Sequence, residues 1–157
     1  MKTGSNPCIT TVDSDGIPYN DRLKRVRKSS GKSPEDVAAL LGITFPEYDE
    51  WESYAGELTR VMSLGELSKL SSVLGTRTSL IFDDKSEDGQ RISPEQLCAK
   101  INAHLNATGL SIAEFENRVG FEIEPSLKDV AKVMDWNVDC LRFVCAEIGV
   151  NWLGALP

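Results

Sequence analysis

The sequence predicts an all-α fold. Apolar residues recur at helical spacing, Ser or Thr stands three residues before an acid or amide at several capping positions, and glycines follow the last apolar residue of several segments. With 157 residues and a hydrophobic content of 41%, the chain is long enough for one ordinary domain or two small ones with a packed core. We therefore expect a globular, helical protein.

Two helices are predicted at the start of the first half. The first begins near Tyr19 and ends at the Ser29-Ser30-Gly31 break, where glycine permits the left-handed conformation that closes a helix. The second has Ser33 as its N-cap and Pro34 in its first turn, and it stops at Gly42. We expect this second helix to be short.

Three further helices are predicted in the first half. Thr44 and Glu47 form a capping box that opens a helix in the segment TFPEYDEWE. In SLGELSKLSSVLG a second box begins at Ser63, and four leucines share one face before Gly75 ends the helix. The apolar residues within 78–82 indicate a short closing helix.

The charged segment DDKSEDGQR divides the chain. It spans residues 83–91 and contains no apolar residue, so it is typical of an exposed linker. We expect the following organisation: a flexible N-terminal arm at 1–18, a helical domain at 19–82, an acidic linker at 83–92 and a second helical domain at 93–157.

The second domain repeats the capping pattern of the first. GKSPEDVAALLGI, from Gly31, matches GLSIAEFENRVGF, from Gly109, and the offset is 78 residues. SLGELSKLSSVLG, from Ser63, matches NVDCLRFVCAEIG, from Asn137, and here the offset is 74. A tandem duplication explains this better than chance, because cap, apolar and terminator positions recur in order. The alternative is that two unrelated helical segments share the same capping and terminating residues by chance.

Composition excludes several kinds of site. The formal net charge of −7 opposes nonspecific attraction to nucleic acid or anionic membranes. The four cysteines form no CxxC pair and the single histidine leaves no zinc spacing, so we expect buried thiols, no metal and no cofactor. No apolar run has the length of a membrane span, and the N-terminus has no signal-peptide core, so we expect a cytoplasmic protein.

Three motifs occur together in residues 22–75: RLKRVRKSSGKSPEDVAALLGI, the Trp51-Glu52 pair and SLGELSKLSSVLG. This combination resembles the lambda-repressor-like helix-turn-helix family, also called the Cro/CI or xenobiotic-response-element type. The resemblance implies two tandem small helical bundles of this type, of which the second is degenerate and is related to the family through the repeat. It also implies that the helices capped by Ser33 and Thr44 form the DNA-binding pair, with the second helix in the major groove.

The resemblance suggests a set of DNA contacts. Basic residues on the first helix and the turn after it would hold phosphates, and the start of the third helix would face the groove. The candidates are Arg22, Arg25, Lys28, Lys32, Ser33, Thr44, Phe45, Glu47 and Tyr48. An alternative for the basic residues is that they balance neighbouring acids, since residues 21–82 carry nine charges of each sign.

The predicted recognition helix is acidic and aromatic. Glu47, Asp49, Glu50 and Glu52 place four carboxylates in six positions, whereas family members usually have polar or basic residues there. A carboxylate accepts a hydrogen bond from cytosine N4, but the remaining carboxylates must approach phosphates. Four aromatic residues also recur three apart, and we interpret them as a core stripe, with an exposed partner site as the alternative. They are Phe45, Tyr48, Trp51 and Tyr54, of which Trp51 is the strongest core candidate.

Two functions remain open. The first is a DNA-binding transcriptional regulator whose second domain dimerises or senses a partner, which leaves a homodimer open. The second is an acidic protein-binding module of antitoxin or immunity type, which would bind a basic protein through Glu47, Asp49, Glu50 and Tyr54. We expect no enzyme and no catalytic residues, because no phosphate loop, nucleophile elbow or metal motif is present.

Overall fold

The computed structural model describes residues 10–84 and 90–157. Within these ranges the regular elements are all helical, so the all-α prediction is confirmed. The α-helices are α1 (Tyr19–Ser29), α2 (Pro34–Leu41), α3 (Phe45–Ser53), α4 (Leu64–Leu74), α5 (Thr78–Phe82), α6 (Pro94–Thr108), α7 (Ile112–Val119), α8 (Glu124–Lys128) and α9 (Val138–Ile148). The other helical segments are the π turn Glu57–Val61 and the 3-10 turns Val130–Asp135 and Trp152–Ala155.

Capping boxes define where the helices begin. In α2, α3 and α4 the side chains of Ser33, Thr44 and Ser63 each accept the backbone N–H three residues on. The acid at that position accepts the backbone N–H of the N-cap residue. Gly42 ends α2 with a φ of 72°, a conformation in which a β-carbon is strained. The predicted starts of these helices and the end of α2 are therefore confirmed.

The buried apolar side chains form a core that includes both halves. Leu23 of α1 and Ile101 of α6 are each fully buried in it. Phe82 of α5 makes edge-to-face contacts on both sides, with ring centroids 5.0 Å from Tyr19 and 5.5 Å from Trp152. The two halves therefore pack against each other, which the sequence had left open.

The backbone also joins the halves, along the segments that precede α4 and α9. Ser63 pairs with Asn137 in an antiparallel bridge. Leu64 N donates to Trp136 O at 2.7 Å, and Asn137 Nδ2 donates to Arg60 O at 3.0 Å. Because hydrogen bonds add to apolar packing, the contact fixes the register between the halves.

Residues 10–18 form a folded turn. Asp13 is buried, and its Oδ1 accepts the backbone N–H groups of Asp15 and Ile17, each at 2.9 Å. Thr10 O accepts from Arg142 Nη1 at 2.7 Å. The expected flexible arm at 1–18 is therefore wrong for this portion, because the arm supplies acceptors that the body of the protein uses. Residues 1–9, and residues 85–89 of the predicted linker, lie outside the described residues.

Candidate nucleic-acid interface

Helices α2 and α3 form a pair joined by a short turn. Gly42 closes α2, Ile43 is half-buried against the core, and Thr44 caps α3. The inner side of the pair is held by Val37 and Tyr48, both fully buried. Since α2 packs on α4 and α3 packs on α1, the pair has a fixed place on the first half and presents its outer side to solvent.

The exposed start of α3 consists of an apolar ring and carboxylates. Phe45 is 43% exposed, and Asp49 and Glu50 lie on the surface. Glu47 is also exposed, but its Oε2 accepts from Thr44 N at 2.7 Å and from Thr44 Oγ1 at 2.8 Å. These hydrogen bonds lower the pKa of Glu47 below its ordinary value, so the carboxylate stays ionised at the cap. The polar groups of Glu47 and Thr44 therefore already hydrogen-bond to each other.

A buried ion pair sets the position of α3. Arg27 of α1 donates two hydrogen bonds to the Glu52 carboxylate, and Tyr48 Oη donates to Glu52 Oε1 at 2.8 Å. The Glu52 partner raises the pKa of the Arg27 guanidinium. Burial is the main cause that raises the pKa of the Tyr48 phenol. Sequence reasoning missed this pair, although Arg27 lies four residues after Leu23 on the buried face of α1.

Two predicted DNA contacts are corrected by their burial. Arg22 is only 5% exposed, because its Nη2 donates to Leu80 O at 2.7 Å and its Nη1 lies 3.2 Å from Asp13 Oδ2. Tyr48 is fully buried beneath α3. Neither side chain is presented to a groove or a phosphate, so we withdraw both from the candidate contacts.

The other basic candidates lie at the surface. Arg25 and Lys28 are exposed on α1, and Lys32 is half-buried in the turn before α2. Arg27 Nη1 donates to Lys32 O at 3.0 Å, which fixes that turn beside the start of α2. Ser33 Oγ accepts from Asp36 N at 3.1 Å, so its hydroxyl serves the cap. Of these cations, Lys32 therefore lies beside the start of α2, whereas Arg25 lines a groove with Gly75 and Leu80.

The aromatic residues of the third helix do not form one stripe. Tyr48 is buried and Trp51 is half-buried against it, with ring centroids 5.7 Å apart, whereas Tyr54 is 64% exposed. A step of three residues turns the side chain back by about 60° around the helix, so three such steps bring it to the opposite side. Tyr48, rather than Trp51, is the central core residue. Tyr54 lies at the surface, like the other partner candidates Glu47, Asp49 and Glu50.

In the second half, α7 is followed by a short helix, α8. After α7, the Glu116 carboxylate accepts the backbone N–H groups of Ile123 and Glu124 at 2.8 and 2.9 Å. Helix α8 has five residues against nine in α3. Ser126 of α8 is buried, and its hydroxyl accepts from Trp136 Nε1 at 2.9 Å. Ser126 therefore attaches this segment to the core, while Lys128 at its end stays exposed.

Part of the chain is similar to a protein with a helix-turn-helix name. It is 36% identical over 64 residues to the SPbeta prophage-derived uncharacterized HTH-type transcriptional regulator YonR of Bacillus subtilis (strain 168). The similarity covers 41% of this chain and 56% of that protein's length. No protein-family model matches the chain, and no solved structure matches it significantly. Among the described residues, no helix has the length and apolar character needed to cross a bilayer.

Proposed function

We propose that this protein is a helix-turn-helix DNA-binding transcriptional regulator. In this proposal residues 19–82 form a lambda-repressor-like domain of the Cro/CI type, and residues 93–157 form a degenerate second copy. The observation that carries the proposal is the α2–α3 pair, in which a capped second helix is held by the core on one side and open to solvent on the other. The partial similarity to an HTH-type regulator supports it.

Phosphate binding is assigned to the surface cations of α1 and of the turn that follows it. Arg25 and Lys28 lie on the surface of α1, and Lys32 lies in the turn that leads to Ser33, the N-cap of α2. Lysine and arginine contacts with phosphates release counterions, so this part of the affinity depends on salt and not on sequence. These residues would position the helix pair on the duplex.

Base recognition is assigned to the outer side of α3. Phe45 offers an apolar contact for a thymine methyl group, and Asp49 and Glu50 offer acceptors for cytosine N4. The same carboxylates repel phosphates at every other site. We therefore propose a regulator with weak affinity for DNA in general. Its specificity would come from Asp49 and Glu50, because a base pair without a cytosine N4 at the right place leaves a carboxylate without a hydrogen-bond donor.

A second candidate function is specifically favoured by the charge of the exposed α3 surface. Asp49 and Glu50 lie on this surface, and Tyr54 at its end is 64% exposed. A basic protein could pair its cations with these carboxylates and cover the Tyr54 ring, as in an antitoxin or immunity-type module. DNA would then have no role at this surface.

Mobility-shift titrations at several salt concentrations would test the proposal. The probes are the promoter DNA of the protein's own gene and a duplex library with a randomised centre. We expect wild type to shift DNA at low salt, and Arg25→Ala with Lys32→Ala to reduce the salt slope by up to about 2, because each phosphate contact adds about 0.9. The matched control removes two exposed cations elsewhere, Lys69→Ala and Lys100→Ala, and should bind like wild type.

An absence of any shift by wild type at low salt would overturn the regulator proposal. In that event, stoichiometric retention of a basic protein that is lost in Asp49→Lys with Glu50→Lys would favour the second candidate. Retention that is unchanged in this variant would count against it.

A further inference from the structure

We propose that the second half of the chain occupies the place of a second subunit, so that one chain acts as a monomer and binds a single asymmetric DNA half-site through its first half. This inference rests on the proposed function. The inference states how many helix pairs bind DNA at once, and it proposes a monomer in place of the homodimer that the sequence left open.

The contact between the halves follows an approximate two-fold relation. Ser63 and Asn137 are the N-caps of α4 and α9, and they are 74 residues apart, which is the offset of the repeat in this region. They pair with each other in an antiparallel bridge. In a two-fold symmetric dimer, a residue near the axis meets the same residue of the other subunit, with the two backbones antiparallel. The pairing of Ser63 with its repeat counterpart Asn137 has this arrangement.

Other contacts follow the same relation. The turn Glu57–Val61, which precedes α4, packs on α9, and the turn Val130–Asp135, which precedes α9, packs on α4. The closing elements also meet, since α5 begins at Thr78 and its counterpart begins 74 residues later at Trp152. The rings of Phe82 and Trp152 make the edge-to-face contact between these elements. Each half therefore covers the same part of the other.

The covered surface has no room for another copy of the chain. A β-carbon at Gly65 would lie 3.4 Å from Met134 O, so the two backbones are in close contact there. Asp139 is buried at the same contact, with its Oδ2 3.8 Å from Arg60 Nε. A second chain would have to displace the second half before it could use this surface.

The two halves differ where DNA would be bound. With the offset of 78 that applies in this region, the positions that correspond to Arg25, Lys28 and Lys32 are occupied by Ala103, Asn106 and Leu110. All three cations are thus replaced by uncharged residues. The counterpart of the exposed Phe45 is Ile123, which is fully buried. The second half therefore keeps the packing role of a subunit and has lost the groups that would grip a second half-site.

Sedimentation and binding stoichiometry would test the inference. We expect the free protein to sediment as a monomer of 17.3 kDa. We expect selection from a duplex library with a randomised centre to give one non-palindromic motif, and the selected duplex to bind one chain. A dimeric regulator would instead select two half-sites about 10 base pairs apart and bind as two chains.

A matched pair of variants separates the two halves. Arg25→Ala with Lys28→Ala removes two exposed charges from the first half, and we expect the affinity for the selected duplex to fall about tenfold at moderate salt. Lys128→Ala with Lys132→Ala removes two exposed charges from the second half, and we expect less than about a twofold change.

The outcomes distinguish the inference from the function on which it rests. Two chains on a palindromic duplex, a dimeric free protein, or equal losses in the two variants would overturn this inference and leave the DNA-binding function in place. No binding by wild type to any duplex in the library would overturn both.

Discussion

Arg27 and Glu52 form an ion pair between α1 and α3, with side chains only 10% and 6% exposed. Arg27 Nη2 donates to Glu52 Oε2 at 3.1 Å, alongside a second hydrogen bond from Nε. The same guanidinium also donates to Lys32 O, so one side chain fixes both the third helix and the turn that carries a candidate phosphate contact. The pair therefore links the position of the acidic helix to that of Lys32.

Glu52→Gln should lower the free energy of unfolding by about 3 kcal/mol, because the Arg27 charge would stay buried without its counter-charge. Urea denaturation would measure this. Glu50→Gln, an exposed change on the same helix, is the control and should change stability by less than about 0.5 kcal/mol. A loss below about 1 kcal/mol in Glu52→Gln would show that the pair is not needed for the fold.

Replacing both members of the pair should be milder than replacing one. With the 78-residue offset of the predicted repeat, the position that matches Arg27 is Leu105, which is also buried. We expect Arg27→Leu combined with Glu52→Leu to recover at least half of the stability lost in Glu52→Gln, since apolar residues of similar volume need no charge compensation. If the double variant is less stable than the single one, the hydrogen bonds to Tyr48 and Lys32 matter more than the buried charge.

Asp13→Asn should lower stability near neutral pH by about 2 kcal/mol, because hydrogen bonds to an ionised group are stronger than those to an amide. Burial alone would raise the pKa of Asp13, but hydrogen bonds from Ile17 and Asp15 together with Arg22 outweigh it and lower that pKa. A carboxyl with a lowered pKa stabilises the fold above its unfolded value of about 3.9, and this contribution is lost as the pH falls through the folded pKa. Unfolding curves of wild type and variant should therefore converge below about pH 4. A constant difference down to pH 2 would contradict this assignment.

Asn137→Ala should cost about 2 kcal/mol, of which about 1 comes from the lost cap and about 1 from the bond between the halves. Its Oδ1 accepts from Cys140 N at 2.8 Å and its Nδ2 donates to Arg60 O. Ser111→Ala, which removes a cap within the second half, is the control and should cost about 1 kcal/mol. Thermal unfolding would compare the two, and equal losses would mean that the Arg60 bond adds nothing.

Neutralising the carboxylates of α3 should strengthen DNA binding. Asp49→Asn with Glu50→Gln removes two exposed charges from the helix assigned to the groove, and we expect a severalfold gain in affinity for unselected duplex DNA at low salt. Glu122→Gln with Asp135→Asn removes two exposed charges from the second half and should give little gain. Fluorescence anisotropy would measure both. Similar gains in the two variants would indicate that the net charge of the protein, rather than the position of α3 at the DNA, determines the affinity.

The helix boundaries could be predicted because caps and terminators act over a few residues. Ser33, Thr44 and Ser63 each sit three residues before their partner acid, so the signal is contained in a short segment. The burial of Arg27 also had a local signal, since Tyr19, Leu23 and Arg27 are four apart on one side of α1.

Other features depend on residues far apart in the sequence. Arg22 was expected at the surface because basic side chains usually lie there, and its burial depends on Asp13 and on Leu80 O, 58 residues away. The bond from Asn137 to Arg60 spans 77 residues. Helical period and capping pattern contain no information about such pairings, so the packing of the halves could not be predicted.

Ser63 and Asn137 face each other within one polypeptide, and this affects how the contact can change during evolution. In a symmetric pair of identical chains every substitution appears twice, so each change must suit both sides of the axis at once. Here a mutation at position 137 leaves position 63 untouched, and the asparagine already uses its amide for a bond to Arg60 O. One polypeptide that contains both sides of the contact therefore lets each side change without a matching change in the other.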